Sequence, residues 1–193
     1  WFFYFHPWIY MIFGPAIGMR LWSEENRMGT TELLLTMPVS PWQAILGKFC
    51  AATVVLAAAL LSTIGMVFTV NYLGEPDSGV IWSGYFGSLF IGMASIALTC
   101  AVSAVTRNQI TCLLISFTVC LILILLGYPP VNDFIRGLPL GGWLADTGNA
   151  ISFTWHQNEM SRGLMRMQSL VYLFSIIGFS LFLTSVIIRS KRS

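Results

Sequence analysis

Long apolar runs separated by short polar segments dominate this chain of 193 residues. A helix needs about 20 apolar residues to cross a bilayer, because each residue rises about 1.5 Å through roughly 30 Å of hydrocarbon. By this measure the sequence predicts about five spans, over residues of about 2–19, 43–73, 82–105, 109–128 and 168–188. We therefore expect an all-α integral membrane protein, with residues 1–193 forming a single transmembrane domain.

The composition supports this fold class. Hydrophobic residues make up 56% of the chain, charged residues only 9%, and the mean hydropathy is +0.76, whereas soluble domains carry about 25% charged residues. A net charge of +2 is too small to favour a nucleic-acid partner. All four cysteines lie in apolar runs without metal-site spacing, so we expect no metal site and interpret them as packing residues: Cys50, Cys100, Cys112 and Cys120.

The placement of Lys and Arg predicts how the chain is oriented. With five spans the loops alternate, and seven of the ten basic residues fall on one side of the membrane and three on the other. Cytoplasmic loops retain Lys and Arg, so segment 20–40 and the C-terminal tail are predicted to be cytoplasmic, and 129–167 to be outside. The first span then enters from outside, and a cytoplasmic N-terminus would require a sixth span upstream of Trp1.

The predicted outer segment 129–167 combines Gly and Pro with large apolar residues. This composition is typical of short interfacial or re-entrant helices, which we expect to cap the outer mouth of the bundle. The alternative is a loop that rests on lipid and has no role in transport. His156 and Glu159 are interpreted as a solvated polar patch, with a surface acid–base pair as the less favoured alternative.

The first predicted cytoplasmic segment, residues 20–40, concentrates charge and helix signals. Ser23 is a candidate N-cap for a short helix, with Glu24 and Glu25 in its first turn, where carboxylates complement the helix dipole. Gly29 is predicted to end that helix.

Two further helix signals follow in the same segment. A second short helix is predicted from Thr30 or Thr31, with Glu32 near its start and Pro38 closing it. Ser40, Pro41 and Gln43 then form a capping box with proline at the first helical position, so the next span begins near Pro41. The whole segment is therefore predicted to form a helix–break–helix elbow.

The elbow has a balanced polar face, since three acids stand against three bases: Glu24, Glu25 and Glu32 against Arg20, Arg27 and Lys48. An interfacial helix that only rests on lipid head groups would carry an excess of Lys and Arg. The balanced charge therefore favours a protein partner with charges of its own.

The same segment resembles the permease subunits of type-2 ATP-binding-cassette exporters, especially the gliding-motility-associated group. That group shows the run acid-acid-x-x-x-Gly-Thr-x-Glu-Leu-Leu-Leu-Thr-x-Pro-hydrophobic-Ser, followed by Leu-Gly-Lys. Here these residues are Glu24, Glu25, Gly29, Thr30, Glu32, Leu33, Leu34, Leu35, Thr36, Pro38, Ser40, Leu46, Gly47 and Lys48. A weaker likeness covers residues 161–175, which are similar to the family's lead into its last span.

The resemblance implies a six-span permease of a bacterial cytoplasmic (inner) membrane. It also implies that the 20–40 elbow is a coupling helix that docks on a separate cytosolic ATPase, and that two permeases, identical or related, act with two ATPases among membrane lipids. The residues implied to couple to the ATPase are Glu24, Glu25, Arg27, Gly29, Thr30, Glu32, Leu33 and Pro38.

The chain lacks the residues of a nucleotide site or an intramembrane enzyme. Its Gly47-Lys48 pair has neither the upstream Gly nor the following Ser or Thr of a phosphate-binding loop, so ATP and Mg are expected on the partner ATPase. We expect no catalytic residue, because no Asp, Glu or His lies in the middle of a span and because His6 and His156 are predicted to lie about a membrane thickness apart.

Small polar residues are then expected to line the translocation path, which suits an amphipathic or lipid-linked cargo: Thr53, Thr63, Ser95, Thr99, Ser103, Thr111, Ser116 and Thr118. The alternative is that these hydroxyls only satisfy hydrogen bonds within or between helices. For the whole protein, the alternative function is a non-transporting membrane anchor or assembly subunit that tethers a cytosolic ATPase.

Overall fold

The computed structural model describes residues 2–30, 40–74, 77–137, 141–164 and 166–190. Over these ranges the chain is helical and contains no strand. A 3₁₀ turn at Phe2–Phe5 precedes ten α-helices in the described ranges: α1 His6–Gly18, α2 Arg20–Met28, α3 Pro41–Ser62, α4 Gly65–Leu73, α5 Ser78–Val105, α6 Gln109–Leu125, α7 Pro129–Arg136, α8 Gly141–Ile151, α9 Phe153–Ser161 and α10 Met167–Ser190.

Three helical segments of the described chain are long and apolar enough to cross a membrane: α3 with α4, α5, and α10. A fourth is present if α6 and α7, which meet at 67°, form one bent span. The all-α membrane fold is thus confirmed, although the number of such spans is lower than the five expected. The span expected over 2–19 is not among these segments, because a 3₁₀ turn leads into an α1 of only 13 residues, short of the roughly 20 that a span needs. The span expected over 109–128 is among them only when α6 and α7 are taken together.

Helix α5 forms the centre of the bundle and contacts α1, α2, α3, α6, α9 and α10. Contacts between individual residues show how α5 runs relative to α1 and α3. His6 of α1 contacts Ser88 of α5, and Gly18 lies against Thr99, so α1 and α5 run parallel. Leu56 of α3 packs near Gly92, and Thr63, just after α3, hydrogen-bonds to Tyr85, so α3 is antiparallel to α5.

As a result, α2 and α9 lie at opposite ends of the bundle. Asn26 of α2 hydrogen-bonds to Thr106, at the end of α5. Met160 of α9 accepts a hydrogen bond from Ser83, near the start of α5. The end that carries α2 and the α5–α6 loop is thus distinct from the end that carries α9, which agrees with the alternation used to orient the loops.

Two glycines of α1 allow it to approach α5 closely. A Cβ atom on Gly18 would lie 2.7 Å from Cβ and Cγ2 of Thr99, and one on Gly14 would overlap the side chain of Ser95. The Gly14-xxx-Gly18 spacing therefore forms a helix–helix seam inside the chain.

Most of the hydroxyls proposed to line a path bond to their own helix. Each of the following donates to a carbonyl three or four residues back: Thr53, Thr63, Ser95, Thr99, Ser103 and Thr118. This arrangement supports the alternative interpretation, in which the hydroxyls satisfy hydrogen bonds locally. Three of the cysteines are buried as expected, whereas Cys50 is exposed.

The two histidines are not a membrane thickness apart. Ser88 contacts Nδ1 of His6 at 2.5 Å and accepts a hydrogen bond from Gln157, the residue after His156, at 3.1 Å. Both histidines thus lie at the end of the bundle that carries α9. The prediction was wrong because α1 runs parallel to α5 and α9 folds back onto the first half of α5.

The prediction of a solvated His156 was also wrong. Its side chain is only 1% exposed, its ring stacks on Tyr172 with centroids 4.3 Å apart, and it bonds to Ser169 and to the Ala150 carbonyl. Glu159 pairs instead with Arg166 at 3.0 Å. The cause is tertiary, since the folded-back α9 is covered by α10 and by the end of α8.

Candidate coupling surface

Helix α2 begins earlier than its sequence signals indicate. Met19 has helical backbone angles and donates its N–H to the Pro15 carbonyl, so α1 continues almost directly into α2 at Arg20. Ser23 is therefore not an N-cap: it is fully buried within the helix, and its hydroxyl donates to the Met19 carbonyl. For the same reason Glu24 and Glu25 are not in the first turn.

The predicted end of α2 is confirmed at Gly29. This residue has φ of 71°, a left-handed conformation that costs glycine little, and its N–H bonds to the Glu25 carbonyl. Thr30 follows and is exposed, and its hydroxyl is 3.5 Å from the same carbonyl.

One face of α2 is anchored to the start of α3 through Lys48. The Lys48 ammonium lies 2.5 Å from Oε1 of Glu25, donates to the Leu21 carbonyl at 2.6 Å and lies 3.9 Å from the ring centroid of Trp22. Trp22 is fully buried. An ammonium with a carboxylate, a carbonyl and an aromatic face around it is held more firmly than one in a surface ion pair.

A second anchor joins α2 to the end of α5. The side-chain amide of Asn26 donates to the carbonyls of Ser103, Ala104 and Thr106, at 3.1, 3.1 and 3.2 Å. These carbonyls belong to the last turn of α5, where helical acceptors lack partners within the helix. Asn26 thus acts as a C-cap supplied from another helix.

The opposite face of α2 is exposed. It carries charge of both signs and ends in a large apolar side chain, with Met28 62% exposed. The exposed residues of this surface, named here the α2 outer face, are Arg20, Glu24, Arg27, Met28, Gly29 and Thr30.

The structure therefore divides the predicted coupling residues. Glu24, Arg27, Gly29 and Thr30 lie together on the α2 outer face, whereas Glu25 is half-buried in its ion pair with Lys48. Glu32, Leu33 and Pro38 lie outside the described residues.

The predicted start of the next span, near Pro41, is confirmed. Ser40 accepts a hydrogen bond from the Gln43 N–H at 3.4 Å, and the Gln43 side chain accepts from the Ser40 N–H at 3.1 Å. The reciprocal pair is a capping box, with Pro41 as the first residue of α3.

The anchoring role of Asn26 was not predicted. Its partners lie 77 to 80 residues further along the chain, so no local pattern marks it. Lys48 was counted as a charge of the polar face, yet it points inward. An isolated Lys about two turns into an apolar span is the only sequence signal for that contact.

The described residues around α2 differ from the side-chain arrangements of metal and nucleotide sites. Among the described residues, no group of three His, Cys, Asp or Glu is arranged to hold a metal ion. Gly47 and Lys48 lie inside α3, and Lys48 is held by Glu25, so the pair does not form a phosphate-binding loop.

Comparison with known proteins places α2 within a recognised transporter region. Residues 5–142 match the model of the ABC-2 family transporter protein. The chain is also 28% identical, over 149 residues, to the probable ABC transporter permease YtrD of Bacillus subtilis (strain 168). That match covers 70% of this chain but 45% of the relative, so the chain spans about half the length of the curated relative. Neither comparison distinguishes the gliding-motility-associated group, which stays a prediction.

Proposed function

Because the chain belongs to the ABC-2 family of membrane transporter proteins, we propose that it is the permease subunit of an ATP-driven exporter in a bacterial cytoplasmic membrane. It acts with a second permease, identical or related, and with cytosolic ATPase subunits that bind ATP and Mg. Its cargo is amphipathic or lipid-linked. Residues 20–40 form the coupling element.

The observation that carries this proposal is the two-sided character of α2. Its inner face is tied to two membrane helices, to α3 through Lys48 and to α5 through Asn26. Its outer face remains exposed and carries both a carboxylate and a guanidinium, at Glu24 and Arg27. A charged face of this kind suits a protein partner whose charges are complementary.

The contacts suggest how force would pass into the membrane. A partner that displaces the α2 outer face also displaces the start of α3 and the end of α5, because the anchors of α2 are short, partly buried hydrogen bonds. Since α5 contacts six other helices, a tilt of its end changes the packing of the whole bundle. Rigid-element motion of this type is a common switching device.

The test is charge reversal on the outer face. The double variant Glu24→Arg with Arg27→Glu keeps the net charge and leaves both anchors intact. We expect it to lose co-purification with the cognate ATPase and stimulation of ATPase activity by the membrane subunit, by roughly 10-fold or more, as for disruption of two interfacial charge pairs. Thermal unfolding of the isolated permease should be unchanged.

The matched control reverses exposed charges at the other end of the bundle. Asp133 and Arg136 lie on α7 and are exposed, so Asp133→Arg with Arg136→Glu should retain ATPase binding. Equal binding by both double variants would refute the coupling role. The complex could instead form without any ATP-dependent movement of an amphipathic substrate in reconstituted vesicles. That result would favour the alternative function, a non-transporting membrane anchor that tethers the ATPase.

A further inference from the structure

A large groove opens at the end of the bundle opposite α2. It has a volume of about 1030 Å³ and lies between the N-terminal 3₁₀ turn, α4, the start of α5 and the end of α9. A second groove of about 470 Å³ lies between the end of α3, α4 and the start of α5. Val67, Ile81 and Tyr85 line both grooves, so the two lie side by side.

The smaller groove has an apolar lining. Its walls include Leu60, Phe68, Trp82 and Leu89, and Phe68 and Trp82 are 72% and 61% exposed. Its volume lies in the range of about 300–1,000 Å³ that small-molecule sites occupy. The shape and lining suit an acyl chain rather than a polar solute.

The charge at the rim of the larger groove is positive. Arg162 is the charged side chain among the described residues that line it, and no carboxylate belongs to that lining. The neighbouring cations are already paired, Arg136 with Asp146 and Arg166 with Glu159. Asn158 of α9, four residues before Arg162, also lines the groove and offers an amide donor on the same side.

We infer that the two grooves together bind a phospholipid-like anion, with its phosphate at Arg162 and Asn158 and one acyl chain between α4 and α5. Charge complementarity selects the head group, because a phosphate beside a guanidinium that has no carboxylate partner among the described residues gains a charge-assisted hydrogen bond, whereas the choline cation of a zwitterionic head group would be repelled by the same guanidinium. Binding of this anion does not depend on the proposed function. Only its identification as the chemical class of the cargo rests on the proposed function.

Tryptophan fluorescence of the full chain in phosphatidylcholine nanodiscs tests this inference. Dibrominated acyl chains quench the fluorescence of nearby indoles. The difference in fluorescence between the unsubstituted protein and Trp82→Phe gives the signal of Trp82, separate from that of the other six tryptophans. We expect brominated phosphatidylglycerol to quench Trp82 at a several-fold lower mole fraction than brominated phosphatidylcholine with the same chains.

Variants of the head-group and chain sites make the test specific. Arg162→Gln should abolish the preference for phosphatidylglycerol, Arg162→Lys should retain most of it, and the exposed cation Arg107 at the other end of the bundle supplies the control, Arg107→Gln. Val67→Phe should reduce quenching by filling the groove, whereas Val54→Phe, on a 66% exposed position of α3, should not.

Equal quenching by the two lipids, or a preference that persists in Arg162→Gln, would overturn the inference. The assay contains no ATPase. If the unsubstituted protein shows no lipid preference but couples to the ATPase, the lipid site alone is refuted. If it shows the preference but does not couple, the proposed function alone is refuted.

Discussion

The ammonium of Lys48 on α3 lies 2.5 Å from Oε1 of Glu25 on α2, and both side chains are about one-quarter exposed. The pair joins a membrane-spanning helix to the short helix that follows α1. Because Trp22 covers the ammonium, solvent screens this pair less than it screens an ion pair on the surface.

Replacing Lys48 by Met should destabilise the permease. The variant leaves the Glu25 carboxylate partly buried without its partner, which costs about 1–3 kcal/mol. For a chain of this size that corresponds to a fall of about 2–4 °C in Tm per kcal/mol. Thermal unfolding in detergent of Lys48→Met, Glu25→Gln and the double variant would measure the coupling between the two residues.

The control for this cycle is the ion pair between Arg136 and Asp146, whose side chains are 55% and 73% exposed. Arg136→Met should change stability by less than about 1 kcal/mol, because exposed pairs contribute little. Similar losses in the two cycles would show that the α2–α3 ion pair is no stronger than a surface pair.

Under the proposed coupling role, Asn26→Ala should separate binding of the ATPase from transmission of its motion. The side chain is not part of the α2 outer face, so the complex should still form, but the three carbonyls at the end of α5 lose their donor. We expect ATPase activity that no longer responds to cargo or lipid, measured on the reconstituted complex. Asn149→Ala, which removes the bond to Asn132 at the other end of the bundle, should preserve the response.

Gly18→Ala should weaken the seam between α1 and α5. The added methyl would lie 2.7 Å from two carbon atoms of Thr99, and such overpacking typically costs about 1–3 kcal/mol. Gly178→Ala on α10 meets no atom within 4 Å and should leave stability unchanged or raise it by up to about 1 kcal/mol through helix propensity. Thermal unfolding of both variants provides the comparison, and an unaffected Gly18→Ala would disprove the close seam.

The stability of the permease should fall in mild acid through His156. Burial lowers the pKa of His156 below its usual 6.5, although the Ala150 carbonyl and the charge of Glu159 oppose the shift. The Ala150 carbonyl can only accept, so Nε2 carries the proton and Nδ1 accepts from Ser169.

The unfolded chain therefore binds a proton at His156 at a higher pH than the folded chain does. Stability from this residue is complete above about pH 6.5 and decreases as the pH falls toward the lower pKa of the folded state. Comparing Tm at pH 7.5 and pH 5.5 should show a smaller acid-induced decrease for His156→Gln than for the unsubstituted protein. Equal decreases would assign the acid sensitivity to other groups.

The sequence by itself determined the features that depend on local physics. Run length and hydropathy identified α3 with α4, α5 and α10 as candidate spans, because a bilayer imposes a length on any helix that crosses it. The left-handed Gly29 and the capping box at Ser40 were predicted for a similar reason, since both satisfy backbone groups within a few residues.

Only the tertiary structure decided which polar side chains face inward. Ser23 resembled an N-cap, but the continuation of α1 into α2 placed it within a helix. Glu25 and Glu24 are adjacent in the sequence, yet one meets Lys48 and the other faces outward. His156 is buried only because α9 folds back onto α5. The outcomes for Glu25 and His156 depend on contacts between residues 23 and 77 positions apart, Glu25 with Lys48 and Met160 of α9 with Ser83, and such contacts are set by how the helices pack rather than by any local pattern.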